Sequence, residues 1–331
     1  ISSYYRSINY TLLIVIKKKF HYRKENSMKK KFVFIPNSNV LTNNSIKIWT
    51  EKLSDLFTDW TFHSPKNKEE ALVEISDADA AYGTMDNDLL SVAQKIKWLQ
   101  APAAAPDEGF YFDELIKHPI VVTNFKEIYN DHISIQILSY ILSFAKNSHI
   151  YRDQQNRKIW KQLPETQHEI FLPESTVIII GVGGIGLETA RICKAIGMKT
   201  IGIDAKKIDS SKWLDEIFLS KNLMKQINKG DFIVSTIPHN PITEGMFNYS
   251  FFSKMKKSSY FINIGRGKTT SLNDLDQAIS NKIISGAALD VFEEEPLDSN
   301  SNLWKYPNVL ITPHIAAHGG KYLDERRYDI L

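Results

Sequence analysis

Residues 175–204 read STVIIIGVGGIGLETARICKAIGMKTIGID, and few stretches restrict a fold as tightly. A β-branched run leads into Gly181, Gly183 and Gly186, spaced GxGxxG, and the glycines open an apolar-periodic helix expected over 188–196. The first glycine permits a tight turn, the second lets the backbone approach a pyrophosphate, and the third lets the helix pack on its strand. Free N–H groups along Gly183, Gly184, Ile185 and Gly186, with the helix dipole behind them, favour phosphate. Asp204 ends the next strand, where a carboxylate accepts from the ribose hydroxyls of NAD and repels the 2′-phosphate of NADP. Two charges ~4 Å apart at an effective dielectric of ~20 interact by about 4 kcal/mol, so NAD is the expected cofactor. Lys206 and Lys207 are placed to offset that repulsion and keep NADP in view.

The rest of the chain alternates in the same way. Short apolar runs at 31–36, 60–64, 80–83, 97–101 and 120–124 read as strands, separated by helical patterns at 46–57, 69–75, 88–95 and 112–117. A second series of strands is expected at 176–181, 199–204, 231–237, 260–265, 286–291 and 308–313. A helix over 272–281 is capped by Ser271 with Asp274 three residues on. Such alternation predicts an α/β protein with two doubly wound parallel-sheet domains, the first over 28–124 and the second over 125–314. A connecting helix over 133–146 has Asp131 placed to cap it, and the polar, aromatic stretch 151–167 reads as an arm or loop. His132 and His149, which flank that helix, are expected on the surface.

Composition removes several classes of function. The 331 residues, 43% hydrophobic and 24% charged, suit a globular protein. The formal charge of +3 is concentrated in residues 1–27, where six Lys and Arg face one Glu, so the remainder is slightly acidic and offers no nucleic-acid surface. The apolar part of that leader, 10–16, is too short to span a bilayer, and no small-residue cleavage site follows it. Met28 opens MKKKFVFIPN, a natural first strand, so residues 1–27 are expected to be a disordered or non-native leader. Cys193, the only cysteine, excludes an internal disulfide framework, fits a reducing compartment such as the cytoplasm, and is expected to fill space on a buried helix face. No His, Cys, Asp or Glu cluster has metal-ligand spacing.

The chemistry falls at strand ends. Residues 261–267, FINIGRG, place Arg266 where a buried strand stops; GAALDVFEEEPL (286–297) follows with Asp290 and Glu295, and VLITPHIAAH (309–318) with His314. In open α/β sheets the crevice beyond the carboxyl ends of the strands holds the ligand. A cation, a carboxylate and an imidazole there suit reduction of a 2-keto acid, which needs a cation for the carboxylate and carbonyl and an acid for the developing alkoxide. His239 and His318 lie near the same crevice without a required role.

The motifs VGGIG, STIPHNPITEGMFN, INIGRG, ALDVFEEEP and TPHIA stand in the order and spacing of the D-isomer-specific 2-hydroxyacid dehydrogenases, which this chain resembles from Lys31 onward. The resemblance implies a flavodoxin-like substrate domain, to which residues 315–331 return, and a Rossmann cofactor domain, in a homodimer that takes a small 2-keto or 2-hydroxy acid and touches neither nucleic acid nor membrane. It implies that Arg266 binds the substrate carboxylate, that His314 is the general acid and base, and that Glu295 holds its imidazole. Asp290 would contact the nicotinamide side of the cofactor, and Pro238 its binding loop. Ala104 and Ala105, in WLQAPAAAPD (98–107), match the stretch whose backbone N–H groups grip the substrate; Ala105 stands where glycine is usual, and Pro106 has no N–H to offer. By the same resemblance the family's final helix continues past the point where this chain stops. An NAD-sensing corepressor-like binding protein and a formate- or phosphite-type dehydrogenase of the same fold are the alternatives.

Overall fold

The computed structural model describes residues 29–36, 41–104, 109–164 and 169–331, so the leader and residues Ala105 to Asp107 lie outside the described residues. The chain divides after Asn124 into two compact units. In the first, strands β1 (Lys30–Phe34), β2 (Trp60–His63), β3 (Ala80–Tyr82), β4 (Trp98–Gln100) and β5 (Val121–Thr123) form a parallel sheet in the order β2-β1-β3-β4-β5. β1, second in this doubly wound order, is buried on both faces. Phe32 sends its ring among Trp60, Phe62 and Trp98, with centroids 6.5, 5.6 and 5.7 Å away, and Phe34 meets Trp49 and Tyr82. Val33 and Ile35, alternating with them, join Ala71, Ile75, Met85, Leu89 and Leu99 on the other face. Each such side chain contributes roughly 1.5–3 kcal/mol on burial. Three of the intervening helices start at side-chain caps: Thr42 accepts from the Ser45 N–H at 3.1 Å, Asn67 from Glu70 at 2.8 Å and Asp86 from Leu89 at 2.9 Å.

The second unit holds seven parallel strands: β6 (Thr176–Ile180), β7 (Lys199–Asp204), β8 (Glu216–Leu219), β9 (Phe232–Ser235), β10 (Tyr260–Asn263), β11 (Gly286–Leu289) and β12 (Val309–Ile311). Their order is β12-β11-β10-β9-β6-β7-β8. The chain winds outward from β6 through β8, then restarts at β9 on the other side of β6. That reversal makes the carboxyl ends of β6 and β9 the place where crossovers diverge and a crevice opens. Beneath it Phe247, Phe251, Phe252 and Phe261 pack with centroids 4.9–6.0 Å apart, and the helix Asn130–Ala145 lies along the helix Gly184–Ala195.

Several expectations change. β8 has no counterpart in the sequence reading: EIFL is a half-buried edge strand, held by ladder bonds to β7 and by Glu216 pairing with Lys199 and Lys229. Asp131 does not cap its helix. The helix starts one residue earlier, its N-cap Tyr129 makes no side-chain bond, and Asp131 pairs instead with the Arg326 guanidinium at 2.7 and 2.8 Å. That guanidinium also donates to the Ile128 carbonyl, and Arg327 donates to the Tyr129 hydroxyl, which ties the helix Gly320–Ile330 to residues 128–131. Residues 315–331 therefore cluster with the second unit. Part of the expected arm is helical, Ser148–Asn156, and His149 is half-buried, donating through Nδ1 to the Ser143 carbonyl and packing edge-on to Phe144. His132 is likewise half-buried, stacked on Tyr322. Cys193 is buried, as expected of a space-filling residue. Among the described residues no helix is long and apolar enough to cross a membrane, and no group of His, Cys, Asp and Glu could hold a metal ion.

Candidate active site

The glycine fingerprint sits at the switch point. Gly181 follows β6 with φ 93°, a left-handed conformation that favours glycine, and a Cβ on Gly186 would stand 2.1 Å from the Gly181 carbonyl oxygen. The helix Gly184–Ala195 therefore begins as close to the strand as backbone permits. Its N-cap, Gly183, offers no side-chain bond to the first turn, that turn carries no acidic residue, and a Cβ on Gly183 would meet open space. Exposed N–H donors, a positive dipole end and room for close approach together fit the pyrophosphate of a dinucleotide. Asp204, at the end of β7, accepts from the Val182 N–H at 2.7 Å and the Lys206 N–H at 2.8 Å, one on each carboxylate oxygen. The same carboxylate expected at the ribose thus also holds the fingerprint loop and the 205–207 turn. Beyond β9, Thr236 donates to the Gly181 carbonyl at 2.7 Å, which brings the loop of the exposed Pro238 alongside the fingerprint.

The next three strands along the sheet, β10, β11 and β12, deliver the polar side chains. Arg266 lies just past β10, half-buried, its Nη1 donating to the Gly265 carbonyl at 2.7 Å. The flanking glycines are explained by crowding: a Cβ on Gly265 would be 2.5 Å from the Ile237 carbonyl oxygen, and one on Gly267 only 1.7 Å from that of Phe292. The arginine loop is thereby pressed onto the loop that follows β11. In that loop Glu295 accepts from the Phe292 N–H at 3.0 Å through Oε1, and its Oε2 lies 2.8 Å from Nδ1 of His314. The pairing assigns the Nδ1 proton to the bond with Glu295 and leaves Nε2 outward, the arrangement a proton-transferring histidine needs.

His314 has φ 52°, an unusual conformation for a side chain of its size and one that persists only where neighbours enforce it. Asp290 is the principal enforcer. Its side chain is 1% exposed and accepts from the Ile315 and Ala316 N–H groups at 3.0 Å each and from the Thr312 hydroxyl, while its carbonyl accepts from the His314 N–H at 2.8 Å. The Tyr140 hydroxyl bonds Thr312 in turn, and burial pushes that phenol's pKa up. Since Thr312 gives its proton to the carboxylate, Tyr140 must donate to Thr312. Neither residue was visible as a site residue: a tyrosine in an apolar-periodic helix reads as core, and only the hydroxyl two positions before a strand-end histidine hints at Thr312.

The structure thus joins Glu295 to His314, packs the Arg266 loop onto the Glu295 loop, and sets the fingerprint and Asp204 at the switch point. Ala104, in the first unit, accepts from the Asn124 amide at 3.0 Å through its carbonyl. His239 faces Glu244 at 3.4 Å and His318 is exposed.

Known proteins resemble this chain in sequence and in fold. Residues 138–316 match the model of the D-isomer specific 2-hydroxyacid dehydrogenase, NAD binding domain. A glyoxylate reductase of Thermofilum pendens is 29% identical over 271 residues, which is 78% of this chain and 77% of that protein. The glyoxylate/hydroxypyruvate reductase A of Yersinia enterocolitica is 33% identical over 191 residues, 56% of this chain and 59% of its own length. A probable 2-hydroxyacid dehydrogenase from Rhizobium etli, solved with NADP, HEPES and L(+)-tartaric acid, superposes with a TM-score of 0.73 at 25% identity over 92% of this chain and 93% of its own. With a family model covering more than half the residues, and a switch-point fingerprint facing the same sheet end as the histidine and its glutamate, this chain belongs to the D-isomer-specific 2-hydroxyacid dehydrogenases, oxidoreductases that move a hydride between a nicotinamide dinucleotide and a 2-hydroxy or 2-keto acid.

Proposed function

We propose that this chain reduces small 2-keto acids of the glyoxylate and hydroxypyruvate class to the corresponding 2-hydroxy acids, of D configuration where the product is chiral, with NADH preferred over NADPH. The observation that carries the reading is the 2.8 Å bond between His314 Nδ1 and Glu295, on a turn held by buried Asp290, two strands along the sheet from the one that presents Arg266. NADH, when bound, supplies the hydride. Arg266 binds the substrate carboxylate and polarises the carbonyl, a bidentate task suited to guanidinium. His314 delivers its Nε2 proton to the carbonyl oxygen as charge develops there and takes it back in the oxidative direction. Glu295 fixes the ring so that Nε2 faces the substrate. Asp290 has acceptor capacity left on Oδ2, which takes one N–H, and would serve the nicotinamide side of the cofactor. Gly181, Gly183, Gly184, Ile185 and Gly186 cradle the pyrophosphate, Pro238 lines the cofactor loop, and Asp204 sets the preference for NADH. Ala104 and Ala105 are assigned to substrate binding through their backbone, Ala105 lying outside the described residues.

The names of the Thermofilum and Yersinia relatives support the substrate class. A homodimer is supported by the fully exposed Trp160 and the exposed Ile159 and Phe171, apolar side chains without cover among the described residues. Cys193 as the one thiol favours a reducing compartment, the cytoplasm. The test is the loss of reduced-nicotinamide absorbance with glyoxylate, hydroxypyruvate, pyruvate and 3-phosphohydroxypyruvate, each with NADH and then NADPH. Turnover of the first two that disappears in His314→Ala supports the reading. No turnover of any, or turnover indifferent to His314, overturns it.

A further inference from the structure

We propose that Asn263 is the positioning residue of Arg266, the amide that makes this turn hold a guanidinium in working geometry; the inference rests on Arg266 being the substrate-binding cation. Asn263 is the last residue of β10 and is fully buried. Its backbone is pinned on both sides: its carbonyl accepts from Asp290 at 3.1 Å, and the next N–H, of Ile264, donates to Ser235 at 3.1 Å. From there to Thr270 the path of the chain is set by one side chain. Oδ1 accepts from the Gly265 N–H at 3.0 Å, while Nδ2 donates to the Arg266 carbonyl at 3.1 Å and to the hydroxyls of Thr270 at 2.9 Å and Thr269 at 3.3 Å. The Thr269 hydroxyl also donates to the Arg266 carbonyl, at 2.6 Å.

Only an amide satisfies this turn. The Gly265 N–H requires an acceptor and the Arg266 carbonyl a donor, on opposite sides of one short side chain, so the amide has a single workable orientation. A carboxylate would set oxygen against the Arg266 carbonyl, and an apolar residue would strand the Gly265 N–H in a buried site. Asn263 therefore clamps the Ile264–Gly265 peptide unit through the Gly265 N–H and the Arg266–Gly267 unit through the Arg266 carbonyl, and the guanidinium, bonded to the Gly265 carbonyl of the unit between them, inherits that orientation. Arg266 must meet a carboxylate and a carbonyl together, a geometry in which ~1 Å of error costs on the order of a hundredfold in rate.

The experiment compares Asn263→Asp, Arg266→Gln and the double variant in the full chain, reading kcat, the KM for the keto acid, the affinity for NADH by fluorescence quenching and the melting temperature. Asn263→Asp is expected to lower kcat/KM by on the order of a hundredfold, with a raised KM, NADH affinity unchanged, and no further loss when Arg266 is already glutamine. Thr269→Val, a milder change to the same carbonyl, is expected to give a smaller loss of the same pattern and serves if Asn263→Asp does not fold. Equal losses with and without Arg266, or NADH affinity falling in parallel, would show that Asn263 merely supports the fold and would overturn the inference. If Arg266→Gln lowers kcat/KM but neither Asn263→Asp nor Thr269→Val does, the inference alone fails. If Arg266→Gln is itself without effect, the role assigned to Arg266 fails with it.

Discussion

Replacing Gly267 by alanine puts one methyl group where two loops meet. The added Cβ would lie 1.7 Å from the Phe292 carbonyl oxygen, 1.9 Å from its carbon and 2.5 Å from its Cα. Real Cβ atoms come no closer than about 3 Å, so the loops must separate by more than ~1 Å, and neither opposing atom belongs to a side chain that could swing aside. Overpacking of this kind costs roughly 1–3 kcal/mol, at ~2–4 °C of melting temperature per kcal/mol in a domain of this size. The kinetic effect is larger than the loss of stability implies. One loop carries Arg266 and the other, through the Phe292 N–H, holds Glu295, so displacement moves the cation and the histidine's support together. A ~1 Å misplacement predicts a fall in kcat/KM of on the order of a hundredfold. Steady-state kinetics beside a thermal melt and an NADH titration measures all three quantities. A Gly267→Ala protein with parental kcat/KM and melting temperature would refute the claim that this contact sets the geometry of the site.

Other perturbations follow from the same structure. His314→Ala is expected to lower kcat by roughly 10²–10⁴, the worth of a general acid, while fluorescence titration shows NADH still bound; unchanged kcat removes the assignment. Asp204→Asn keeps an oxygen for one of the two loop N–H groups but removes the charge, so the ratio of kcat/KM for NADH over NADPH should drop at least about tenfold. An unaltered ratio would place discrimination elsewhere. Burial lowers the pKa of His149 below its usual 6.5. As pH falls through that value the unfolded chain takes up a proton that the folded chain refuses, so this residue destabilises the fold progressively under acid. His149→Phe should therefore flatten the decline in melting temperature just below pH 6.5, and an identical decline in both proteins would contradict the burial argument.

The strands and the fingerprint were legible because their signals are local. β6 is a β-branched run ended by glycine, and Asp204 and His314 fall where a strand must stop. The histidine and glutamate could be paired from the sequence only through resemblance, since 19 residues separate them and a hydrogen bond brings them together. What escaped depends on partners far along the chain. β8 is four residues with an apolar run of only three, and it becomes a strand by adding to the edge of β7. Asp131 has the composition of a helix cap but faces Arg326, 195 residues on, and no periodicity announces that. Asn263 reads as an unremarkable polar residue in an apolar run, because its four contacts exist only once the following turn has closed.

The left-handed backbone at His314 also bears on how this enzyme responds to selection. Glycine adopts that conformation without penalty and asparagine nearly so, whereas an imidazole-bearing residue is held there at a cost on the order of 1–3 kcal/mol. Screening variants for heat resistance alone, with no demand for turnover, should therefore enrich glycine or asparagine at position 314. The proton donor would be discarded first, and ruggedness would rise as the reaction disappears.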